Sequence, residues 1–350
     1  MKKISGCMAL FVSLCLTLSA CGGTPAATNT VPPSNTANPG QTTDKPTADA
    51  TETHAPASIT FGTASSSGAF YAVGAGMASV VEQNSNFLSV LVQATKGGAE
   101  NTELISAHQM ELGFASTSHA YCSLTDSGFC EGNGSKDLAG VMALYPNFWH
   151  MLVRSDLNVD TYADLKGLRV CLGTSVPEIT AISKAVLTAH GVDSEKDITA
   201  FYLSQDEACQ KLADGDIDAA AIMTGVPTAL FTNLTVDDTC KLVDGDPEIL
   251  AALTAEDGAL NFVQAGTIPA GTYNNDKDVH AIYSTALIMT YPDVDEAVIY
   301  EFCKQVYENW DTVKLSHSAL NDVVLDDLDQ TKIPLHPGAE KFYREVGILG

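Results

Sequence analysis

Twice in this chain the residues spell the same succession: an apolar strand, a loop of small polar residues, a helix, and then the set again. Strands that alternate with helices form parallel βαβ units with right-handed crossovers. In such sheets ligands sit beyond the carboxyl ends of the strands. A chain written this way twice is expected to fold as two α/β lobes whose polar edges face each other across a ligand cleft.

The first passage opens with a strand, Ile59 to Gly62, and a polar loop, Thr63 to Gly68. A helix follows, with Phe70, Val73, Met77, Val80 and Val81 on one face. Leu88 to Ala94 reads as a strand, Thr95 to Asn101 as a Gly-rich turn and Glu100 to His108 as a helix. Leu112 to Ala115 is a third strand, and it ends in the polar run Ser116-Thr117-Ser118. All three polar loops follow strands and belong on one edge. The Thr63 to Gly68 loop gathers hydroxyls and backbone N–H groups at a helix start, where the dipole adds positive potential. Such a loop holds a small anionic or polar ligand without a cationic side chain. Alone it is an ordinary strand-to-helix connection. Its recurrence further on gives it functional weight.

In the second passage Leu168 to Leu172 is a strand, Gly173 to Glu178 a polar loop, and Ile179, Ile182 and Val186 mark a helix that Gly191 ends. Ile198 to Leu203 is a strand and Glu207 to Asp214 a helix. Ile217 to Met223 is a strand, and Thr224 to Thr228, with Gly225 and Thr228, is again a polar loop. Between the passages runs Val141 to Arg154, long, apolar and interrupted by Pro146, which suits a strand passing between domains. Val279 to Tyr291 should return beside it and complete a two-strand hinge. Pro292-Asp293 starts a helix through Trp310, and a last helix, Ala339 to Val346, packs on the first lobe. The expected lobes are 58–148 with 280–350, and 149–279.

Ahead of these lobes lie a basic Lys2-Lys3, an apolar stretch from Cys7 to Ala20, and Leu18-Ser19-Ala20-Cys21. The last resembles a bacterial lipobox. It predicts a signal peptide over 1–20, lipid on Cys21 and an extracytoplasmic protein tethered to the cell membrane. Residues 21–57, rich in Thr, Pro, Ala and Asn, read as a disordered tether. The formal net charge of −25 argues against nucleic acid and against docking on anionic lipid.

Of the 9 cysteines, Cys122 and Cys130 flank a Gly-containing loop and either pair or stay free thiols. Zinc-ligand spacing is absent. Asp214, Asp216 and Asp218 imitate an EF-hand start, but Ala219 and Gly225 stand where Gly and Glu are required. Neither a His-Glu-x-x-His nor a Gly-x-Ser-x-Gly pattern occurs. Ser65 to Ser67 have no base placed beside them by the sequence. The expectation is therefore no catalytic residue, no metal and no cofactor. Arg154 and Arg169 are the nearest candidate cations to the cleft, or else members of surface or hinge ion pairs.

Several stretches, in order over the folded part, resemble the TAXI family of solute receptors, the extracytoplasmic subunits of TRAP transporters. They are Phe61 to Gly74, Gly97-Gly-Ala-Glu-Asn101, Leu144-Tyr-Pro146, Ala163 to Val170, Asp214 to Ala219, Thr267 to Tyr273 and Ile333 to Ala339. The resemblance implies a type II periplasmic-binding-protein fold that closes on a small anionic or zwitterionic solute, an organic acid or amino acid. It also implies hand-over to a TRAP permease driven by an ion gradient. The alternatives are an ABC importer or a ligand-reading sensor as partner and, last, a surface hydrolase. The family's first ligand loop falls on Thr63, Ser65, Ser66, Ser67, Gly68, Phe70 and Tyr71. Its Gly-Gly-x-x-Asn element falls on Gly98 and Asn101, its post-strand run on Ser116 and Thr117, and its hinge aromatic on Tyr145. The second-lobe element falls on Thr174, Ser175 and Glu178. Here Val176-Pro177 replaces small polar residues, and the loop is shorter than in the family.

Overall fold

A computed structural model describes residues 54–66, 68–174 and 177–350. The expected signal peptide, Cys21 and nearly all of the tether lie outside these residues, as do Ser67 and Ser175. Among the described residues no helix is long and apolar enough to cross a membrane.

The chain first builds β1 (Ala57–Gly62), α1 (Ala69–Asn84), β2 (Leu88–Gln93), α2 (Gly98–Ser106), β3 (Leu112–Ser116) and α3 (Thr117–Thr125). The long strand β4 (Ala139–Arg154) follows. Next come β5 (Arg169–Cys171), α4 (Pro177–Ala189), β6 (Thr199–Phe201), α5 (Gln205–Ala213), β7 (Ala219–Gly225) and α6 (Ala229–Thr235). Then come β8 (Cys240–Leu242), α7 (Pro247–Thr254), β9 (Gln264–Ile268) and the second long strand β10 (Val279–Thr290). The helices α8 (Glu296–Glu308), α9 (Trp310–Val313) and α10 (Pro337–Glu345) close the chain.

One sheet runs through both halves in the order β2-β1-β3-β10-β4-β7-β5-β6, with β8 on β4 and β9 on β10. The expected α/β periplasmic-binding-protein fold is the one observed. In each half three parallel strands, β2-β1-β3 and β6-β5-β7, are followed by one antiparallel long strand, β10 beside β3 and β4 beside β7. The two long strands pair with each other as the sequence predicts. Pro146 lies opposite Thr285, and the register shifts between Thr285 and Leu287. Pro146 has no N–H to donate. Here the Thr285 N–H donates to Thr117 Oγ1 at 3.2 Å.

β4 is apolar throughout because both its faces are covered, which removes the usual alternation. Trp149, Met151 and Val153 enter one core with Tyr162, Leu172 and Ile182 of the second half. Phe148 and Leu152 enter another with Phe231 and Tyr273. The first half has its own core under α1, α8 and α10, where Phe61 stacks on Phe114 at 5.0 Å and meets Phe302 edge-on at 5.7 Å. The Tyr343 hydroxyl donates to Val141 O at 2.7 Å and ties α10 to β4. Fully burying a side chain such as Phe61 is worth about 1.5–3 kcal/mol.

Two open alternatives are resolved and one helix start is corrected. Arg154 and Arg169 are not cleft cations. Arg169 sits at the amino end of β5, opposite the polar edge, and its guanidinium binds Asp218 at 2.6 and 3.0 Å. Those bonds, with Arg154 3.8 Å away, hold the Asp218 carboxyl below the usual carboxylate range. The helix expected from Pro292 begins at Glu296, because Asp295 caps it by accepting the Ala297 N–H at 2.8 Å. Cys122 and Cys130 are both free thiols. Burial pushes them up to about 12 and about 11, so both are protonated at neutral pH.

Candidate functional site

The carboxyl ends of β1 and β3 and the turn before α2 are stitched into one surface by Asn101. Its buried Nδ2 donates to Thr63 O and to Phe114 O, both at 2.8 Å. Thr95 adds its hydroxyl to Thr63 O at 3.1 Å. The Thr63 hydroxyl is itself given to Gln93 O at 2.8 Å, so the first loop is held from both sides. Gly98 presses on this surface: a Cβ there would stand 3.1 Å from Ala115 Cα. Gly68 precedes α1 and donates its N–H to Ser65 O at 2.9 Å. Ser65 and Ser66 are exposed, and Tyr71 is half-buried. Phe70 stacks on Phe114 at 4.6 Å and faces the core.

Next to this surface is the amino end of α3, which the sequence reading took for a loop. Ser116 caps it, and the Ser116 hydroxyl oxygen accepts the His119 N–H at 3.0 Å. Its proton is thus free to point outward. It meets Glu178 Oε1 at 2.6 Å, although Glu178 belongs to α4 in the other half of the molecule. The Ser118 hydroxyl donates to the same oxygen. Ser284 of β10 lies behind: its Oγ accepts the Ser118 N–H at 2.9 Å, lies 2.8 Å from Ser118 Oγ and 3.0 Å from Thr117 Oγ1. Each hydroxyl has one proton. With Ser118 giving its proton to Glu178, Ser284 supplies the one shared between them and Thr117 turns its own toward Ser284.

Glu178 is only 8% exposed. His119 Nδ1 stands 3.7 Å from its Oε2, too far for a hydrogen bond and close enough for a charge to act. Burial pushes the carboxyl up, but His119 and the seryl hydroxyls outweigh it and hold the group below its usual range. The carboxylate also stands at two helix starts, that of α3 and that of its own α4, which both favour negative charge. Nearby the halves touch again: Phe129, in a short 3₁₀ turn, meets Phe262 edge-on at 5.3 Å.

The remaining predicted residues are placed as follows. Tyr145 is fully buried, its hydroxyl has no hydrogen-bond partner among the described residues, and a Cβ on Gly225 would stand 3.0 Å from its ring. Thr228 caps α6, and its N–H goes to the Tyr273 hydroxyl at 2.7 Å. Thr174 is half-buried, and its carbonyl accepts the Thr180 hydroxyl at 2.7 Å. The structure thus brings Thr63, Gly98, Asn101, Ser116, Thr117 and Glu178 together across three loops and two halves. Ser118, His119 and Ser284 were missed. Ser118 was visible as part of the 116–118 run, whereas Ser284 carried no signal within its apolar strand.

On the opposite face of the β4–β10 ribbon lies a cavity of about 610 Å³, lined in part by Pro146, Phe148, Tyr283 and Thr285. The pairs Pro146–Thr285 and Phe148–Tyr283 face one way and Ser284 the other, so this cavity is separate from the Glu178 cluster. Among the described residues no group of His, Cys, Asp and Glu is placed to hold a metal ion.

A model of the NMT1-like family matches residues 61–347. The chain belongs to the NMT1-like family. Among solved structures, it resembles a binding protein of an ABC phosphonate transporter from Pseudomonas aeruginosa. That pair has 11% identity and a TM-score of 0.50, over 80% of this chain and 84% of that one. The alkanesulfonate-binding protein SsuA of Xanthomonas axonopodis pv. citri, bound to MOPS, is 18% identical with a TM-score of 0.46, over 85% and 82% of the two chains. A protein from work on glutathione import via GshT and the cystine ABC importer TcyBC of Streptococcus mutans is 13% identical, with a TM-score of 0.48, over 76% and 95%. The family model is coarser than the TAXI resemblance: it shows the NMT1-like family, and the likeness to the Pseudomonas protein shows the fold.

Proposed function

We propose that this protein is an extracytoplasmic solute-binding protein that closes its two halves, 58–148 with 280–350 and 149–279, on a small anionic or zwitterionic solute. It is a binding protein and not an enzyme. The observation that carries this reading is the cluster at the amino end of α3. There, hydroxyls from one half hold a nearly buried carboxylate from the other, in a fold whose ligands sit at these strand ends. Thr63, Ser65, Ser66, Gly68, Tyr71, Ser116, Thr117, Thr174, Gly225 and Thr228 are the first candidates to face the solute. The unpartnered Tyr145 hydroxyl is a further one. Asn101, Gly98 and Phe70 serve the framework that aims them. Lipid on Cys21 would keep the protein at the membrane.

For the partner, an ABC importer has better support than the TRAP permease implied by the motifs, because the Pseudomonas binding protein comes from an ABC transporter. The neighbouring genes decide it: an ATPase gene supports the importer, and a fused TRAP permease gene restores the other reading. A thermal-shift screen against carboxylic acids, amino acids, sulfonates and phosphonates tests the binding role itself, since a ligand of the folded state raises its melting point. A hit should weaken by roughly tenfold or more in Ser116→Ala, which loses a hydrogen bond to charge worth about 1.5–3 kcal/mol. Calorimetry that finds equal affinity in both proteins rejects this site.

A further inference from the structure

We propose that Glu178 is a built-in stand-in for the solute's carboxylate: in the absence of solute it occupies the anion site at the amino end of α3 and latches the two halves together. The inference rests on the binding role above and names what the incoming solute has to displace.

Four observations carry it. The donors and the acceptor belong to different halves, Ser116 and Ser118 to the first and Glu178 to the second, so the contact exists only when the halves are closed. The receptor side is complete before Glu178 arrives. The Ser116 oxygen is filled by the His119 N–H, and Ser284 absorbs the Ser118 N–H, which leaves both seryl protons aimed outward for an anion. The carboxylate is nearly desolvated, a costly arrangement unless the acceptor is well paired, and Oε1 takes both hydroxyls. The contact is also flanked by a second one of the same kind, Phe129 on Phe262, which buries its apolar edge only in the closed arrangement.

A latch of this kind sets ligand chemistry as well as motion. An entering carboxylate takes over bonds that already exist, so closure by solute gains only the difference between its fit and that of Glu178. Solute affinity is reduced by the share of molecules held shut by the latch. A carboxylate matches the shape of what the site now holds, one oxygen on the seryl hydroxyls and the other facing His119 Nδ1 at 3.7 Å. A tetrahedral sulfonate or phosphonate does not.

The experiment uses the purified full chain and its Glu178→Ala and Glu178→Gln variants, with sodium formate as probe and sodium chloride and methanesulfonate at equal ionic strength as controls. Small-angle scattering should find the unliganded parent compact and Glu178→Ala expanded. Formate should return Glu178→Ala to the compact form and raise its melting temperature, with an affinity roughly ten- to a hundredfold above that for the parent. Neither control should do so. Glu178→Gln keeps the side chain's shape and so its packing. It should stay compact, because its carbonyl oxygen can accept both seryl hydroxyls where Oε1 does, so expansion of Glu178→Ala alone marks the loss of the acceptor and not of packing. A Glu178→Ala protein as compact as the parent overturns the latch, and so does formate acting no better than chloride. The binding role fails separately: a solute screen without hits on parent and Glu178→Ala alike rejects that role, whereas a solute that binds both equally rejects only the latch.

Discussion

Replacing Asn101 by leucine is expected to destabilise the protein by roughly 2–4 kcal/mol, although the exchange adds apolar surface to a fully buried position. The asparagine amide serves two carbonyls at once, Thr63 O and Phe114 O, just past the last β1–β3 pair, Gly62 with Gly113. Leucine withdraws both donors and leaves buried acceptors short of a partner, at about 1–3 kcal/mol each. Thr63 O keeps the Thr95 hydroxyl, so its share is the smaller one. Gly62 gives little room for adjustment, since a Cβ there would stand 2.6 Å from Asn101 Oδ1. Urea unfolding measures the loss. A change below about 1 kcal/mol would show that water or the Thr95 hydroxyl replaces the clamp. Solute affinity should fall with it, because the Thr63 to Gly68 loop loses its anchor.

His150 should make the protein acid-sensitive. Its ring lies on β4 between Phe231, 4.7 Å away and edge-on, and Tyr273, stacked at 5.6 Å. Nδ1 donates to Phe148 O at 2.8 Å and Nε2 has no partner among the described residues, so a second proton would find no acceptor there. Burial pushes the imidazole down to about 4. An unfolded chain takes up that proton near pH 6.5 and the folded one only near 4. Between these values the unfolded state binds more protons, so stability rises with pH through this window and is lost as pH falls. At about 1.4 kcal/mol per pH unit, His150 should remove roughly 2–3 kcal/mol between pH 7 and 4.5. His150→Leu, which cannot titrate, should narrow its stability gap to the parent by that amount over the same range. A gap that stays constant from pH 7 to 4.5 contradicts this assignment.

The parts of the fold that were legible in the residues are those where one strong local signal suffices. β4 and β10 read as long apolar runs because both faces are covered, and the two parallel passages read from strand-loop-helix punctuation. α3 escaped because Thr117-Ser-His-Ala-Tyr-Cys-Ser-Leu-Thr has little apolar periodicity; its start is fixed by the Ser116 cap. β8, with 3 residues, is too short to show any period. The site was legible as loops and not as contacts. Ser116 and Glu178 are 62 residues apart, in a chain with 43 acidic residues and many hydroxyls, and only the shared sheet puts them face to face. The same holds for Asp218, which claims Arg169 across the β5–β7 pairing and takes it away from the cleft.

Because β4 and β10 serve both halves, the first half is not written in one stretch of chain. The core of the first half joins Ile59 through Tyr145 to Ala286 through Tyr343, with the whole second half synthesised in between. The opening strands therefore wait for the last helices before they can bury their apolar face. A fold closed by such distant contacts forms slowly and leaves β3 without its β10 neighbour meanwhile. The second half needs only β10 to be complete, so it is the part expected to gain native structure first as the chain emerges.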